Sequence, residues 1–216
     1  LPATPDGAGW VLLILLMNDY LAGDAQAQGN VRSILNRYAG LAFDNIRPLR
    51  SADGIYKHWI DPLTGNTEGT WPDEYATLST MKIVVGAARA MSYYPDDPVI
   101  ARAASRIIFR TRNWDSYLQG GTDALAFKGN SGGGPDVFSF ARPFHEGIIF
   151  VDQVGVYGTS AADAAAARWF NRPLWPTATY LTGRPITSTS SGLFEAAFIS
   201  LYPALLSPQY RGDTTP

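Results

Sequence analysis

The stretch from Asp53 to Ala90 decides the fold, and it reads DGIYKHWIDPLTGNTEGTWPDEYATLSTMKIVVGAARA. Its start, Ile55 to Ile60, is short, aromatic and partly alternating, which is typical of an extended segment or a hairpin arm. Residues 61–66 combine proline, which fixes φ, with glycine, which tolerates positive φ, so they predict a turn. The rest of the stretch carries apolar residues at helical spacing.

That helix is predicted over residues 73–91, with Thr70 or Asp73 as the cap near Pro72. Its buried stripe is expected to consist of Leu78, Met81, Val84, Val85 and Ala88. Asp73 and Glu74 would therefore lie at the N-terminus of this helix.

Two opposed effects are expected to act on Asp73 and Glu74. The helix dipole and free backbone N–H groups would lower the pKa of a carboxyl group there, whereas burial against Trp59 and Trp71 would raise it. Opposed effects of this kind allow one site to hold both an acid and a base. The alternative interpretation is that the two carboxylates only cap the helix.

The pattern Gly54-Ile-Tyr-Lys-His-Trp-Ile-Asp61 with Thr64-Gly65, followed by an acidic residue and a helix of small residues, resembles the bacterial glycoamylase-like glycoside hydrolases. The resemblance is clearest over residues 54–90 and looser over residues 142–172. It implies an (α/α)6 toroid that cuts glucans, including β-1,2-glucans.

Composition limits the classes of function. The 216 residues fit a single domain, 1–216, and 46% hydrophobic with 17% charged residues indicates a globular protein. A net charge of −2 gives no electrostatic reason to expect nucleic acid or an anionic membrane as a partner. The apolar run from Trp10 to Met17 is too short for a bilayer, which needs about 20 residues.

The absence of cysteine excludes disulfides, thiolate metal sites and a cysteine nucleophile. Two histidines are too few for a histidine-rich metal site, although carboxylates could hold calcium, and we expect no metal or other cofactor. A cysteine-free chain that starts without methionine is compatible with a processed bacterial protein, and we expect a periplasmic or secreted location.

Helix follows helix along the chain, with long loops between them. Helices are predicted after Thr4, within residues 24–43, after Asp97 with Pro98 in its first turn, over residues 159–171 and over residues 192–202. Residues 113–136 predict a hairpin or irregular insertion with a glycine-rich tip. The fold class is therefore all-α, with helical hairpins in a toroid-like arrangement that is incomplete, and a second copy of the chain could complete the toroid.

A second polar cluster follows the insertion and surrounds an apolar run. It contains Arg142, His145, Glu146 and Asp152. Glu195 lies in the last predicted helix among apolar residues, so its carboxylate must reach the edge of the core or face a cavity.

We predict a glycoside hydrolase that acts on a glucan or oligosaccharide by carboxylate acid/base catalysis. Glu74, desolvated near Trp71 and Tyr75, is the expected proton donor. Glu146 is the first choice for the base, followed by Asp73, Asp152 and Glu195. The substrate-binding residues are expected to be His58, Trp59, Trp71, His145, Arg142, Asp152 and Glu195.

Three alternatives stay open. A polysaccharide lyase would need Lys57 and Arg142 to face the carboxylate of a uronate polymer. A non-catalytic glycan-binding protein would keep the aromatic residues and use the carboxylates as caps. A serine hydrolase has the least support, because the sequence has no Gly-x-Ser-x-Gly motif.

Overall fold

The computed structural model describes residues 1–111, 114–117, 125–126, 128–135, 140–141, 167, 177–179 and 185–187. In these residues the chain is mostly helical, with small antiparallel strand pairs. It divides into two compact units. The first contains Leu1–Arg112 and Lys128–Gly134, and the second contains Asn113–Phe127 and Pro135–Pro216. The single domain expected from length stays a prediction.

Four α-helices lie in the described part of the first unit. They are α1 (Pro5–Ala22), α2 (Ala27–Ala39), α3 (Thr77–Tyr93) and α4 (Pro98–Arg110). A 3-10 turn, Trp114–Tyr117, belongs to the second unit. None of the helices described is both long and apolar enough to cross a membrane.

Local sequence signals set three of these helix ends. Thr4 caps α1 by accepting a hydrogen bond from the Gly7 N–H at 3.0 Å. Asp97 caps α4 and accepts from Val99 and Ile100 at 3.0 and 3.2 Å. Helix α1 ends at Ala22 and is followed by its C-cap Gly23, whose φ of 65° is the left-handed conformation that glycine adopts without strain. The N-caps Thr4 and Asp97 confirm the helix starts that the sequence predicts for α1 and α4.

Helices α1 and α3 cross at close range because glycine lies on both. A Cβ on Gly9 would stand 2.5 Å from the carbonyl carbon of Lys82, and one on Gly86 would stand 3.1 Å from the Gly9 oxygen. Lys82 also forms an ion pair with Asp6 of α1. The apolar core of the first unit surrounds this crossing, and its largest fully buried members include Leu12, Leu35, Ile55, Tyr56, Ile60, Met81, Ile83, Ile100 and Ile107.

The loop before α3 is extended, as its sequence predicts. Isolated antiparallel bridges join Arg50 to Tyr56, Ile60 to Thr67 and Lys57 to Tyr75. The turn at residues 61–66 forms, since the Gly65 N–H donates to the Asp61 carbonyl at 2.8 Å and Gly65 has a φ of 80°.

The predicted start of α3 is wrong. The helix begins at Thr77, and its N-cap, Ala76, makes no side-chain capping bond. Residues 75–76 instead form strand β1 (Tyr75–Ala76), which pairs antiparallel with β3 (Lys128–Gly129). This segment also hydrogen-bonds to the extended loop, because the Ala76 N–H donates to the Tyr56 carbonyl at 2.9 Å. These long-range bonds override the local helix signal.

The small antiparallel strand pairing that the sequence predicts for the insertion forms in the described residues. Strand β2 (Leu125–Ala126) pairs antiparallel with β4 (Phe140–Ala141), while β3 pairs with β1. Strands β5 (Thr177–Thr179) and β6 (Pro185–Thr187) form a further antiparallel pair in the second unit. Of the helix predicted over residues 159–171, Ala167 is described and is helical. The helix predicted over residues 192–202 lies outside the described residues.

Candidate active site around Glu74

Backbone pairing places residues 57–58 beside residues 73–75. The His58 N–H donates to the Glu74 carbonyl at 3.0 Å, and Lys57 bridges to Tyr75. Neighbouring extended segments hold their side chains a few ångströms apart. Lys57 and His58 are thereby placed beside Asp73 and Glu74.

The carboxylate of Glu74 is held by two nitrogen groups. Its Oε1 lies 2.8 Å from His58 Nδ1, and its Oε2 accepts a hydrogen bond from Lys128 Nζ at 2.8 Å. Lys128 arrives on strand β3, which pairs with the strand that follows Glu74. The Glu74 side chain is 17% exposed, so solvent reaches it while most of its surface is covered.

The carboxylate of Asp73 has a separate set of partners. Its Oδ1 accepts hydrogen bonds from Lys57 Nζ at 2.5 Å and from the Thr67 hydroxyl at 3.0 Å. Lys57 is buried, and its Nζ also lies 3.8 Å from the centroid of the Tyr75 ring, a cation–π contact. Asp73 itself is exposed.

Three rings form an aromatic stack next to Glu74, and we call His58, Trp59 and Trp71 the aromatic stack. The centroids of His58 and Trp59 are 4.2 Å apart with planes 19° from parallel, and those of Trp59 and Trp71 are 4.3 Å apart at 27°. Trp71 ends the stack and is 46% exposed. The indole Nε1 of Trp59 is buried and finds no hydrogen-bond partner within the part of the chain described.

The pKa of Glu74 does not rise as the sequence predicts. Partial burial works against ionisation, but the hydrogen bonds from His58 and Lys128 and the charge of Lys128 outweigh it, and the pKa of Glu74 lies below its usual value. The pKa of Asp73 is also lowered, first by its hydrogen bond from Lys57. Since α3 starts at Thr77, a side-chain cation rather than the helix N-terminus stabilises each anion.

The structure brings together five of the predicted site residues: His58, Trp59, Trp71, Asp73 and Glu74. The other five, Arg142, His145, Glu146, Asp152 and Glu195, lie outside the described residues, and their roles stay predictions. Within the described ranges no group of three or more histidine, aspartate and glutamate residues could hold a metal ion.

Sequence reasoning missed Lys128, which it placed in the glycine-rich insertion. One signal was available: lysine occurs only at positions 57, 82 and 128, whereas all the other residues among the 17 lysines and arginines are arginines. Each of these lysines pairs with a carboxylate in the structure. Scarce lysines in an arginine-rich chain were therefore candidates for specific ion pairs.

The sequence matches no protein-family model and no curated protein. Two solved structures of endo-β-1,2-glucanase from Talaromyces funiculosus are similar in fold. A mutant in complex with β-1,2-glucan superposes with a TM-score of 0.56 at 11% identity, and the complex with sophorose gives 0.54 at 13%. Each match covers 86% of this chain and 44% of the other chain, so this chain spans about half the length of those enzymes. The likeness shows a shared fold.

Proposed function

We propose that this chain is a glycoside hydrolase of the glucan-cutting type, with its active site at Glu74 and the aromatic stack. The observation that carries the proposal is the position of Glu74, a partly exposed carboxylate held by two cationic or ionisable nitrogen groups, beside a stack that ends in a half-exposed tryptophan. The fold shared with endo-β-1,2-glucanase supports it and makes β-1,2-glucan the first substrate to test.

The aromatic stack suits a sugar ring. The outer ring, Trp71, is half-exposed, and aromatic faces pack against the apolar C–H faces of pyranoses. The other ring of the pair, Trp59, holds Trp71 in place by stacking. The Nε1 of Trp59, which has no hydrogen-bond partner among the described residues, could donate a hydrogen bond to a hydroxyl group of the substrate.

Hydrolysis would use two carboxylates, one as proton donor and one as base. We keep Glu74 as the proposed donor, with the condition that the substrate displaces the Lys128 ammonium, because the present contacts favour the anion. Without that displacement Glu74 would instead act as the base. Glu146 remains the first candidate for the second carboxylate, followed by Asp73, Asp152 and Glu195.

One observation favours a second candidate, a non-catalytic glycan-binding protein. Lys128 and His58 satisfy both oxygens of the Glu74 carboxylate, as expected for a carboxylate with a structural role. The lyase alternative loses support, because Lys57 is buried against Asp73 rather than directed at a substrate carboxylate.

The wider architecture is also a proposal. The helical hairpins would form part of an (α/α) toroid, which the fold shared with endo-β-1,2-glucanase supports, and a second copy of this chain could complete it. We propose that the protein acts on an oligosaccharide or polysaccharide in the periplasm or outside the cell.

The test is product release from β-1,2-glucan, other neutral glucans and a uronate polymer, measured as reducing ends and as ultraviolet absorbance. Glu74→Gln should abolish release from the neutral glucan, with a loss of about 10²-fold or more. Glu68→Gln is the matched control, because Glu68 lies in the same loop and its carboxylate binds Thr70 locally. It should retain activity.

Three outcomes separate the candidates. Release from the neutral glucan that Glu74→Gln removes and Glu68→Gln retains supports the hydrolase. Ultraviolet-absorbing products from the uronate polymer would identify a lyase. Binding of glucan without release of any product, in a wild-type protein whose circular dichroism shows a folded helical chain, would identify a glycan-binding protein.

A further inference from the structure

Five arginines form a cluster on the first unit, and we call Arg47, Arg50, Arg102, Arg106 and Arg110 the arginine cluster. Three of them follow one another at intervals of four residues, so they lie on one stripe of α4. The other two precede the extended loop and lie near enough to act on the charge of Arg106. No member forms a salt bridge with any residue the structure describes.

Arg106 lies at the centre of the cluster. Partial desolvation and then the like charges of the other four arginines, with Arg110 first, lower its pKa. Its Nε is buried and has no acceptor in the described ranges of the chain. A guanidinium cannot relieve such repulsion by losing its proton at neutral pH, so a bound anion is the effective way to compensate the charge.

A pocket of about 300 Å3 opens within this cluster and is lined by Arg50, Ser51, Ala52, Gly54 and Arg110. Arg50 is held in place, because its Nη1 lies 3.3 Å from the Tyr56 hydroxyl and its guanidinium lies 5.1 Å from the Tyr56 ring centroid. The backbones of Gly54 and Arg110 lie in close contact at this pocket, since a Cβ on Gly54 would stand 2.2 Å from the Arg110 carbonyl oxygen. This volume is at the lower end of the range for small-molecule sites.

We propose that this pocket binds a tetrahedral oxyanion of the phosphate class between Arg50 and Arg110. Arginine forks match the oxygens of such a group, and two forks can bind one anion in a bidentate manner. The pocket shares no residue with the site around Glu74, so the proposal does not depend on glucan hydrolysis. The anion could be free in solution or could be a phosphoryl group carried by a sugar.

The experiment is calorimetric titration of the full chain with inorganic phosphate and with glucose 1-phosphate, with sodium chloride added to hold the ionic strength constant. Arg110→Gln removes one fork at an exposed position, and Arg89→Gln on α3 removes the same charge at an exposed position outside the cluster. We expect saturable binding that weakens about ten-fold in Arg110→Gln and less than about two-fold in Arg89→Gln.

Tighter binding of the sugar phosphate would place the phosphoryl group on a carbohydrate, and equal binding would indicate a free anion, so both results support the site. Circular dichroism of each variant confirms folding. If Arg110→Gln does not fold, Arg50→Gln is the second variant, because it removes the other fork of the pocket and should weaken binding by a similar factor. Equal affinities in Arg110→Gln and Arg89→Gln, or no saturable heat with either ligand in the wild type, would overturn the proposal.

Discussion

The Nζ of Lys128 lies 2.8 Å from Oε2 of Glu74, although 54 residues separate the two in the sequence. The contact depends on strand β3, which pairs Lys128 with Ala76 and Gly129 with Tyr75, the residue after Glu74. Since the Lys128 side chain is 38% exposed, solvent screens this pair and a substrate could displace the ammonium. Lys128 therefore acts together with His58 to lower the pKa of Glu74.

Lys128→Met should raise the pKa of Glu74, because it removes both a hydrogen bond and a positive charge that now lower it. If Glu74 is the proton donor, the alkaline limb of the pH–activity profile moves to higher pH. If Glu74 is the base, the acid limb moves to higher pH and activity in acid falls. The pH profile of kcat/KM for glucan hydrolysis from about pH 3 to 9 measures the shift, because kcat/KM reports the pKa values of the free enzyme, in which Lys128 contacts Glu74.

Lys128→Arg is the control, since it keeps the charge and should leave both limbs nearly in place. A profile that is the same in Lys128→Met and in the wild type would contradict the lowering of the Glu74 pKa by Lys128.

Trp71→Ala should weaken glucan binding about 3- to 10-fold, because it removes the half-exposed apolar face on which a sugar ring would pack. Phe43→Ala provides the control, since Phe43 is a fully exposed ring with no part in the aromatic stack. Calorimetric titration of β-1,2-gluco-oligosaccharides into the Glu74→Gln background gives the affinities without turnover. Equal affinities in the two variants would remove Trp71 from the substrate site.

Asp97→Ala should destabilise the first unit by about 2–3 kcal/mol, because Asp97 both caps α4 and binds Arg32 of α2 at 2.6 Å. Asp97→Asn should cost less, since asparagine can still cap. Urea denaturation at pH 7 measures both free energies of unfolding. Equal losses in the two variants would show that the cap contributes nothing.

The loss in Asp97→Ala should shrink in acid. Burial opposes ionisation of Asp97, but hydrogen bonds from Arg32, Ile100 and Val99 outweigh it. The pKa of Asp97 in the folded protein therefore lies below the ordinary 3.8. Because the pKa of Asp97 is lower in the folded than in the unfolded chain, its ionised carboxylate stabilises the fold fully above the unfolded pKa. This stability is lost as the pH falls through the folded pKa. Denaturation repeated at about pH 3 should therefore show a smaller difference from the wild type, and a larger one would contradict this sign.

Gly54→Ala should destabilise the protein by at least about 3 kcal/mol, because Gly54 has a φ of 85° and its Cβ would stand 2.2 Å from the Arg110 oxygen. Gly23→Ala shares the positive φ but meets nothing within 4 Å, so it should cost only about 1–2 kcal/mol. Thermal and urea unfolding of the pair separate conformational strain from steric overlap. Similar losses in both variants would show that the contact with Arg110 relaxes without cost.

The sequence by itself determined those features that depend on neighbours along the chain. Thr4 and Asp97 cap α1 and α4 because a side-chain oxygen reaches N–H groups two or three residues away. The buried face of α4, which includes Ile100, Ala103 and Ile107, follows from helical periodicity. The turn that ends at Gly65 follows from its residue types.

The tertiary structure decided the start of α3 and the contacts of Glu74. Local signals placed Glu74 in a helix, but strand pairing with Tyr56 and Gly129 occupies the backbone that follows it, and Thr77 becomes the first helical residue. The pKa of Glu74 then depends on Lys128, a residue that no local pattern connects to it. Hydrogen bonds between distant segments form only when the chain folds, so residue spacing could identify the acidic group but not its partner.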